Sequence, residues 1–492
     1  MRILIIGSGF GGLSAAIRLQ AQGHTVTVVE KLHRAGGRAM VFEQDGFTFD
    51  AGPTIVTAPW MIEELLTLCG LPEAERVTMV TLDPFYNVRF EDGSVFHYNG
   101  DRESLEAQVA AFAPGDLAGY RAFRDKAWKI FNVGMPLIDQ PFHQWMSMLK
   151  VAPDLIRLRA DRSVARLAMQ YLRDERLQQV FSFHPLLVGG NPFRASSIYA
   201  LIHKLEQEWG VGFPMGGMGA VVDALVRGFE RLGGTIRYES EVAEITMQPG
   251  RRTVSGVRLV SGETLTADAV VCNGDVAEAH RRLLPESVRP HMSNARIRRM
   301  RYSMSLFVIY FGTNRQYDNM AHHEILMGPR YRALLEDIFE RKILAEDFSL
   351  YLHRPTATDA SLAPPGHDCW YVLSPVPHLG GTVNWDAVGQ RYRDRIMAYL
   401  EERYLPDLSQ HIVTERRIDP RYFAQTLNSY LGSAFGPEPV LTQSAYFRPH
   451  NVSQDIKNLY FCGAGTHPGA GIPGVIASGK IVADMVWSAQ QF

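Results

Sequence analysis

The residues with the plainest chemical meaning are three glycines near the amino terminus, Gly7, Gly9 and Gly12, in the spacing Gly-x-Gly-x-x-Gly. Bare backbone there permits a tight turn, close approach of a pyrophosphate and tight packing of a helix on a strand; the helix N-terminus adds partial positive charge. Glu30 follows, an acid placed to accept a hydrogen bond from a ribose hydroxyl. Shortly beyond it, Gly36-Gly37-Arg38 offers a second bare turn and a guanidinium able to fork onto phosphate oxygens. NAD and FAD both satisfy the first fingerprint. Nicotinamide enzymes do not ordinarily carry the second turn.

The elements that must position these residues are legible around them. Ile3 to Ile6 is an apolar run suited to a parallel strand covered on both faces; Leu13, Ala16, Ile17 and Leu19 fall at helical spacing. Gly23 ends that helix and Val26 to Val29 forms the next strand, completing a βαβ unit of a doubly wound α/β domain. Residues 86–98 change period around Asp92-Gly93, a hairpin signal. Residues 101–210 become mostly helical. A hairpin-like stretch ends in the strand Ala269 to Cys272, and Met304 to Phe311 and Trp370 to Val376 predict strands of another sheet. The last segment, from Leu459, repeats strand, glycine turn and helix. Two glycine-rich βα turns at opposite ends of the chain predict one domain assembled from distant segments. The expected fold is α/β: a Rossmann-like dinucleotide domain of residues 1–80, 214–290 and 437–492, a mixed-sheet substrate domain of 81–100 and 291–436, and a helical insert of 101–213.

Composition narrows the rest. The 492 residues are 46% hydrophobic and carry 50 basic against 52 acidic side chains, a net charge of −2. That balance, without a basic block, argues against electrostatic nucleic-acid binding, and the hydrophobic content excludes a disordered chain. Cys69, Cys272, Cys369 and Cys462 stand far apart, without zinc-ligand spacing, as expected of reduced core thiols in a cytosolic protein; no metal site is expected. The first apolar run is too short for a signal peptide, and no stretch approaches about 18 apolar residues, the length of a spanning helix.

The order of GxGxxG, Glu30, GGR, FTFDAGPT (47–54) and a C-terminal glycine-rich strand–helix resembles the flavin amine oxidase superfamily. Within it, SFHPLLVGGNPF (182–193), NSYLGSAF (428–435), SAYFRPHN (444–451) and AGTHPGAGIPGV (464–475) closely resemble the bacterial-type phytoene desaturases of carotenoid synthesis, over essentially the whole chain. The resemblance implies non-covalent FAD and removal of hydrogen from a long, uncyclised C40 polyene, phytoene, toward neurosporene or lycopene. It implies that Gly7, Gly9 and Gly12 hold the diphosphate, Glu30 with Lys31 beside it the adenosine ribose, and Val242 the adenine. Gly37 and Arg38 would follow the phosphate and ribityl stretch, Gly52-Pro53-Thr54 would pass the isoalloxazine, and Gly463, Gly465, Thr466, Gly474 and Val475 would line the flavin from the other end of the chain. Many superfamily members place an acid after the glycine of the last strand; this chain has Ala464, a change the desaturase subgroup shares.

Such a reaction asks little of catalytic side chains, because the cofactor carries the redox work and a polyene has no acidic proton. His184, His353, His378, His450 and His467 lie in distinctive segments, but a histidine in a turn is more often a packing or backbone-bonding residue, and no acid–base residue is assigned. Arg448 suits a flavin contact, a seal on the cavity or, equally, a structural ion pair. A substrate insoluble in water must come from a bilayer. Phe131, Met135, Pro136, Leu137, Ile138, Phe142, Trp145, Met146, Met148 and Leu149, followed by Lys150, Arg157, Arg159 and Arg162, suit an interfacial segment or, equally, a domain core. The expected partners are thus the C40 polyene, the cytoplasmic surface of the cell membrane, and oxygen or a quinone as terminal acceptor. A later-pathway desaturase, saturase or isomerase, a non-redox escort protein of the same fold, and an amine oxidase are the competing assignments.

Overall fold

The computed structural model describes residues 1–489. Strand β1 (Arg2–Ile6), helix α1 (Phe10–Ala21) and strand β2 (Thr25–Val29) follow one another as the pattern predicts. They lie in a five-stranded, all-parallel sheet in the order Leu459–Phe461, Ala269–Cys272, β1, β2, Thr235–Arg237. The apolar run of β1 has a use on both faces. Ile3 and Ile5 enter a core shared with α1, and Leu4 enters a second core with Val29, Val242 and Ile245. An antiparallel three-stranded sheet, Val242–Met247, Val254–Leu259 and Thr264–Thr266, covers that second face.

The chain ends meet on the other face. Helix Ile472–Ser488 packs on α1 so closely that a Cβ on Gly479 would stand 2.6 Å from the Gly11 carbonyl oxygen, and Ser14 Oγ donates to Ile476 O at 2.8 Å. Only glycine permits that approach.

A seven-stranded mixed sheet draws Tyr86–Arg89 and Val95–Tyr98 together with five strands between Ser305 and Ile418. The expected hairpin is present: Gly93 has φ +83°, and Asp92 Oδ1 accepts from Ser94 N at 2.9 Å. Strand Ser305–Thr313, one in from the edge of this sheet, is buried throughout; Phe307, Ile309 and Phe311 pack on helix Trp385–Arg403, while Leu306, Val308 and Tyr310 face the opposite core. Residues between Arg102 and Trp209 are mostly helical. The chain leaves for and returns from this region side by side, Met79–Thr81 pairing antiparallel with Gly212–Pro214. Among the described residues no helix is long and apolar enough to cross a membrane. The four cysteines are free and buried.

Candidate functional site

The glycine turn after β1 is a backbone surface. Gly7 has φ +93° and donates to Val29 O at 2.8 Å; α1 starts at Gly9 with no side-chain cap, so its first amides are left for another acceptor. A Cβ on Gly12 would lie 2.1 Å from Gly7 O, which ties the helix to the turn. The second turn stacks on the first, through a bridge between Gly9 and Gly36 and a bond from Gly36 N to Ser8 O at 3.1 Å. Gly52 follows equally closely: its Cβ would lie 1.8 Å from Arg38 O.

Glu30 is buried at the end of β2 with its carboxylate fixed. Ser8 N and Oγ donate to Oε2 at 2.8 and 2.7 Å, and Leu32 N donates to Oε1 at 2.9 Å, which leaves acceptor capacity for a further donor. Arg38 donates to Ser429 Oγ at 3.0 Å, and its buried Nε has no partner among the described residues. Burial pulls its guanidinium below the ordinary value and the Asp275 carboxylate opposes that; burial in turn raises Asp275.

These residues open on one cavity of about 690 Å³. Gly7, Gly9, Glu30, Lys31, Gly37 and Arg38 line one end of it; Gly52, Pro53, Thr54, Val242, Gly463, Gly474 and Val475 also reach its wall. From there it continues between the seven-stranded sheet and the helical insert, past Leu306, Leu373, Phe183, Leu201, Met148 and Leu155. Gly12, Gly465 and Thr466 do not line it. Gly465 is pressed against Val276, with Cβ space ending 2.6 Å away, and Thr466 is fully buried against Ser478 and Asn451. They support the wall from behind.

Two further residues were not singled out from the sequence. Asn273 stands at the end of strand Ala269–Cys272, where its amide meets the space above Gly9, Gly11 and Gly463 and so separates the two glycine turns. Asp275, two residues on, lines the cavity and caps helix Val276–Leu283 through Ala277 N and Glu278 N. Their position beyond the carboxyl end of a central parallel strand, where α/β sheets bind ligands, was the available signal.

The candidate histidines separate by position. His378 accepts from Gly380 N at 2.9 Å and His450 Nε2 meets Tyr446 O at 2.9 Å; neither lines the cavity. His467 does, with Nε2 3.3 Å from Leu137 O and burial pulling its pKa down to about 4. His184 lies between Tyr86 Oη at 3.1 Å and Glu206 Oε2 at 3.2 Å, and Glu206 reaches the cavity wall. His353 is buried outside the wall.

Arg448 does not line the cavity, and among the described residues it has no acidic partner. Its side chain, 1% exposed, donates to four carbonyls: Ala464 at 2.7 Å, Thr466 at 3.0 Å, Pro437 at 3.2 Å and Gln443 at 3.3 Å. It pins the last glycine turn.

The apolar residues of the insert divide between two surroundings. Met135, Leu137, Ile138, Phe142 and Met148 line the cavity, and Phe142, 4% exposed, packs its ring 4.8 Å from His467; it is not a surface residue. Helix Trp145–Leu158 has Met148, Val151 and Leu155 toward the cavity. Trp145, Met146, Leu149 and Ile156 on its other side are 60, 57, 59 and 73% exposed.

The model of the flavin containing amine oxidoreductase family matches residues 10–486. The chain is 49% identical over 484 residues to the lycopene-forming phytoene desaturase of Pantoea ananas, covering 98% of both chains. It is 44% identical over 490 residues to the neurosporene-forming phytoene desaturase of Cereibacter sphaeroides, covering 98% of this chain and 94% of that one. An oxidoreductase from Methanosarcina mazei superposes with a TM-score of 0.64 at 17% identity, over 99% of this chain and 100% of that one, a likeness of fold. The matched span, the near-complete coverage and the stacked glycine turns agree: the chain belongs to the flavin containing amine oxidoreductase family, among its bacterial-type phytoene desaturases.

Proposed function

We propose that the chain is an FAD-dependent oxidoreductase acting on CH–CH bonds, which dehydrogenates phytoene in successive steps toward neurosporene or lycopene. The observation that carries this is one cavity joining a backbone-and-charge end to a long apolar end. An amine oxidase or a non-redox escort protein gives no comparable reason for both ends.

The polar end fits FAD on its own chemistry. The uncapped α1 terminus and the turns at Gly7, Gly9 and Gly37 suit a diphosphate, and the unpartnered Arg38 Nε is a donor in want of an acceptor. Glu30, held by Ser8 and Leu32, is oriented for a ribose hydroxyl, with Lys31 beside it and Val242 at the adenine. Gly52-Pro53-Thr54, Gly463 and Gly474-Val475 would flank the ring system. Bound there, FAD supplies a two-electron oxidant that takes up hydride.

The chain's own part is to align an allylic methylene, exclude water and let the polyene advance between steps. Leu306, Leu373 and Met148 make a wall that offers a hydrocarbon no competing hydrogen bonds.

The protein works at the cytoplasmic surface of the cell membrane as a peripheral protein, with oxygen or a membrane quinone as terminal acceptor. The exposed Trp145, Met146, Leu149 and Ile156, with Lys150, Arg157, Arg159 and Arg162 close by, support this. Incubating the protein with FAD and phytoene-loaded liposomes tests the whole reading. Products with longer conjugated chromophores, separated by chromatography, are expected; a chromatogram showing phytoene alone refutes it.

A further inference from the structure

Each new double bond releases a hydride and also a proton, and the proton leaves into a cavity walled largely by hydrocarbon. Where the cavity meets the strand Leu350–His353, a polar chain of side chains could receive it. Tyr351 lines the cavity with Thr54, and their hydroxyls are 2.6 Å apart. On its far side Tyr351 Oη is 2.8 Å from His323 Nδ1, which is itself 3.3 Å from His353 Nδ1 across the strand pair His323–Leu326 and Leu350–His353. His322 completes the cluster, the three residues each bringing a nitrogen within 4.8 Å of the others. His322 Nδ1 is 2.6 Å from Thr358 Oγ1, and Thr358 is half-buried, at the edge of the protein.

We propose that Tyr351 is the proton acceptor of the desaturation step and that His323, with His353 and His322 behind it, is the relay that carries the proton out. This rests on the desaturase reading. The bookkeeping of the step is closed. One C–H bond gives its electron pair, as hydride, to the oxidant of the established class of reaction. The neighbouring C–H bond then leaves its electron pair in the new C=C bond, and its proton passes to Tyr351 Oη as the original phenolic proton passes to His323 Nδ1. The imidazolium so formed hands its proton through the cluster toward Thr358 and water, and Tyr351 is neutral again for the next step.

Three features favour this chain of groups over ordinary packing. Among the described residues, Nε2 of His322, His323 and His353 are all buried without a partner, whereas buried polar atoms in a purely structural cluster are normally paired. Burial pushes His323 and His353 well below the ordinary histidine value and His322 to about 3, so all three are neutral beforehand and none retains a proton for long. A cation delocalised on a polyene is so strong an acid that a weak, neutral base is sufficient. The Arg354 guanidinium depresses His322 further, surroundings that favour a transient proton over a resident divalent cation.

The test uses the FAD-loaded protein and phytoene liposomes. Tyr351→Phe keeps the ring and removes the hydroxyl; it should lower kcat roughly a hundredfold, the usual scale for a general base, with KM and flavin content unchanged. His323→Gln should lower kcat about tenfold. A second measurement does not depend on turnover: nitrogen NMR of the histidine-labelled, FAD-loaded protein should show, among its hydrogen-bonded imidazole Nδ1 signals, one that Tyr351→Phe shifts to the range of the unbonded nitrogens. Full turnover in Tyr351→Phe beside an active wild type overturns this proposal alone. Stoichiometric metal in the purified protein that is lost in His323→Gln also overturns it. A wild type that leaves phytoene unconverted overturns both this proposal and the desaturase reading.

Discussion

At the glycine end of the cavity the wall is built of closely stacked turns, and at the insert end it is lined largely by apolar side chains. Gly9, Gly36, Gly37 and Gly52 stack turn upon turn with no room for a Cβ at the tightest contacts, and Asn273 sits between the first of those turns and the Gly463 turn. Met148, Leu155, Leu201 and Leu373 shape the other end through volume alone. Backbone walls tolerate almost no substitution, because nothing near them can rotate away. Side-chain walls can change shape while the fold stays intact. One end is therefore suited to a single invariant ligand, and the other to a substrate whose length and position vary from step to step.

The sharpest way to break the contrast is Gly52→Ala. The added methyl would stand 1.8 Å from Arg38 O, so the loop must move. We expect a loss of about 3 kcal/mol in stability and flavin retention below about a tenth, read by thermal unfolding and by flavin absorbance after gel filtration. Unchanged flavin content would show that the turns are looser than their packing indicates.

Next in size is Arg38→Met, which keeps the side-chain volume and removes the charge. A loss of about 2 kcal/mol, or roughly thirtyfold in FAD affinity by titration calorimetry, is expected for a charged hydrogen-bonding partner of phosphate. The fold should survive, since Arg38 has one side-chain bond in the protein, to Ser429. Arg448 offers the opposite case: with four carbonyl acceptors, its replacement should lower the unfolding temperature first.

The insert end should respond without any change in flavin. Trp145→Asp with Met146→Asp should weaken liposome co-sedimentation about tenfold, a value in keeping with about 1.4 kcal/mol of lost interfacial burial. Smallest is Met148→Ala. A lost thioether on the hydrocarbon wall should shift the ratio of partly to fully desaturated products about threefold, measured by chromatography, and leave FAD content and stability within error. If Met148→Ala instead emptied the protein of flavin, the two ends would not be separable.

The parts of the site legible in advance share one property: their roles are local. Gly7, Gly9 and Gly12 impose a strand–turn–helix whatever surrounds them, and Glu30 follows at the end of the next strand. Asn273 has no such local signature. It matters because strand Ala269–Cys272 lies between β1 and Leu459–Phe461, a neighbour relation set by the sheet order. For a similar reason the sequence leaves Phe142 open between an interfacial surface and a core. An apolar residue in a helical segment reports that it avoids water, not whether a cavity, a core or a membrane provides the shelter. Helix Trp145–Leu158 is apolar on two sides, and only its place in the tertiary structure says which side faces the cavity. Arg448 shows the same limit for charge: its partners are four carbonyls, and carbonyls are present at every residue.

Composition and motif spacing determined that this is an α/β protein with a dinucleotide site near its amino terminus and a matching glycine turn near its carboxyl terminus, because those demands fall on φ angles and missing Cβ atoms that each residue carries with it. The tertiary structure alone decided that the two turns share one wall, that the wall continues into an apolar passage, and that Tyr351 and His323 stand together at its edge. Those are distances between residues far apart in the chain, and they exist only once the parallel sheet, the mixed sheet and the insert have packed.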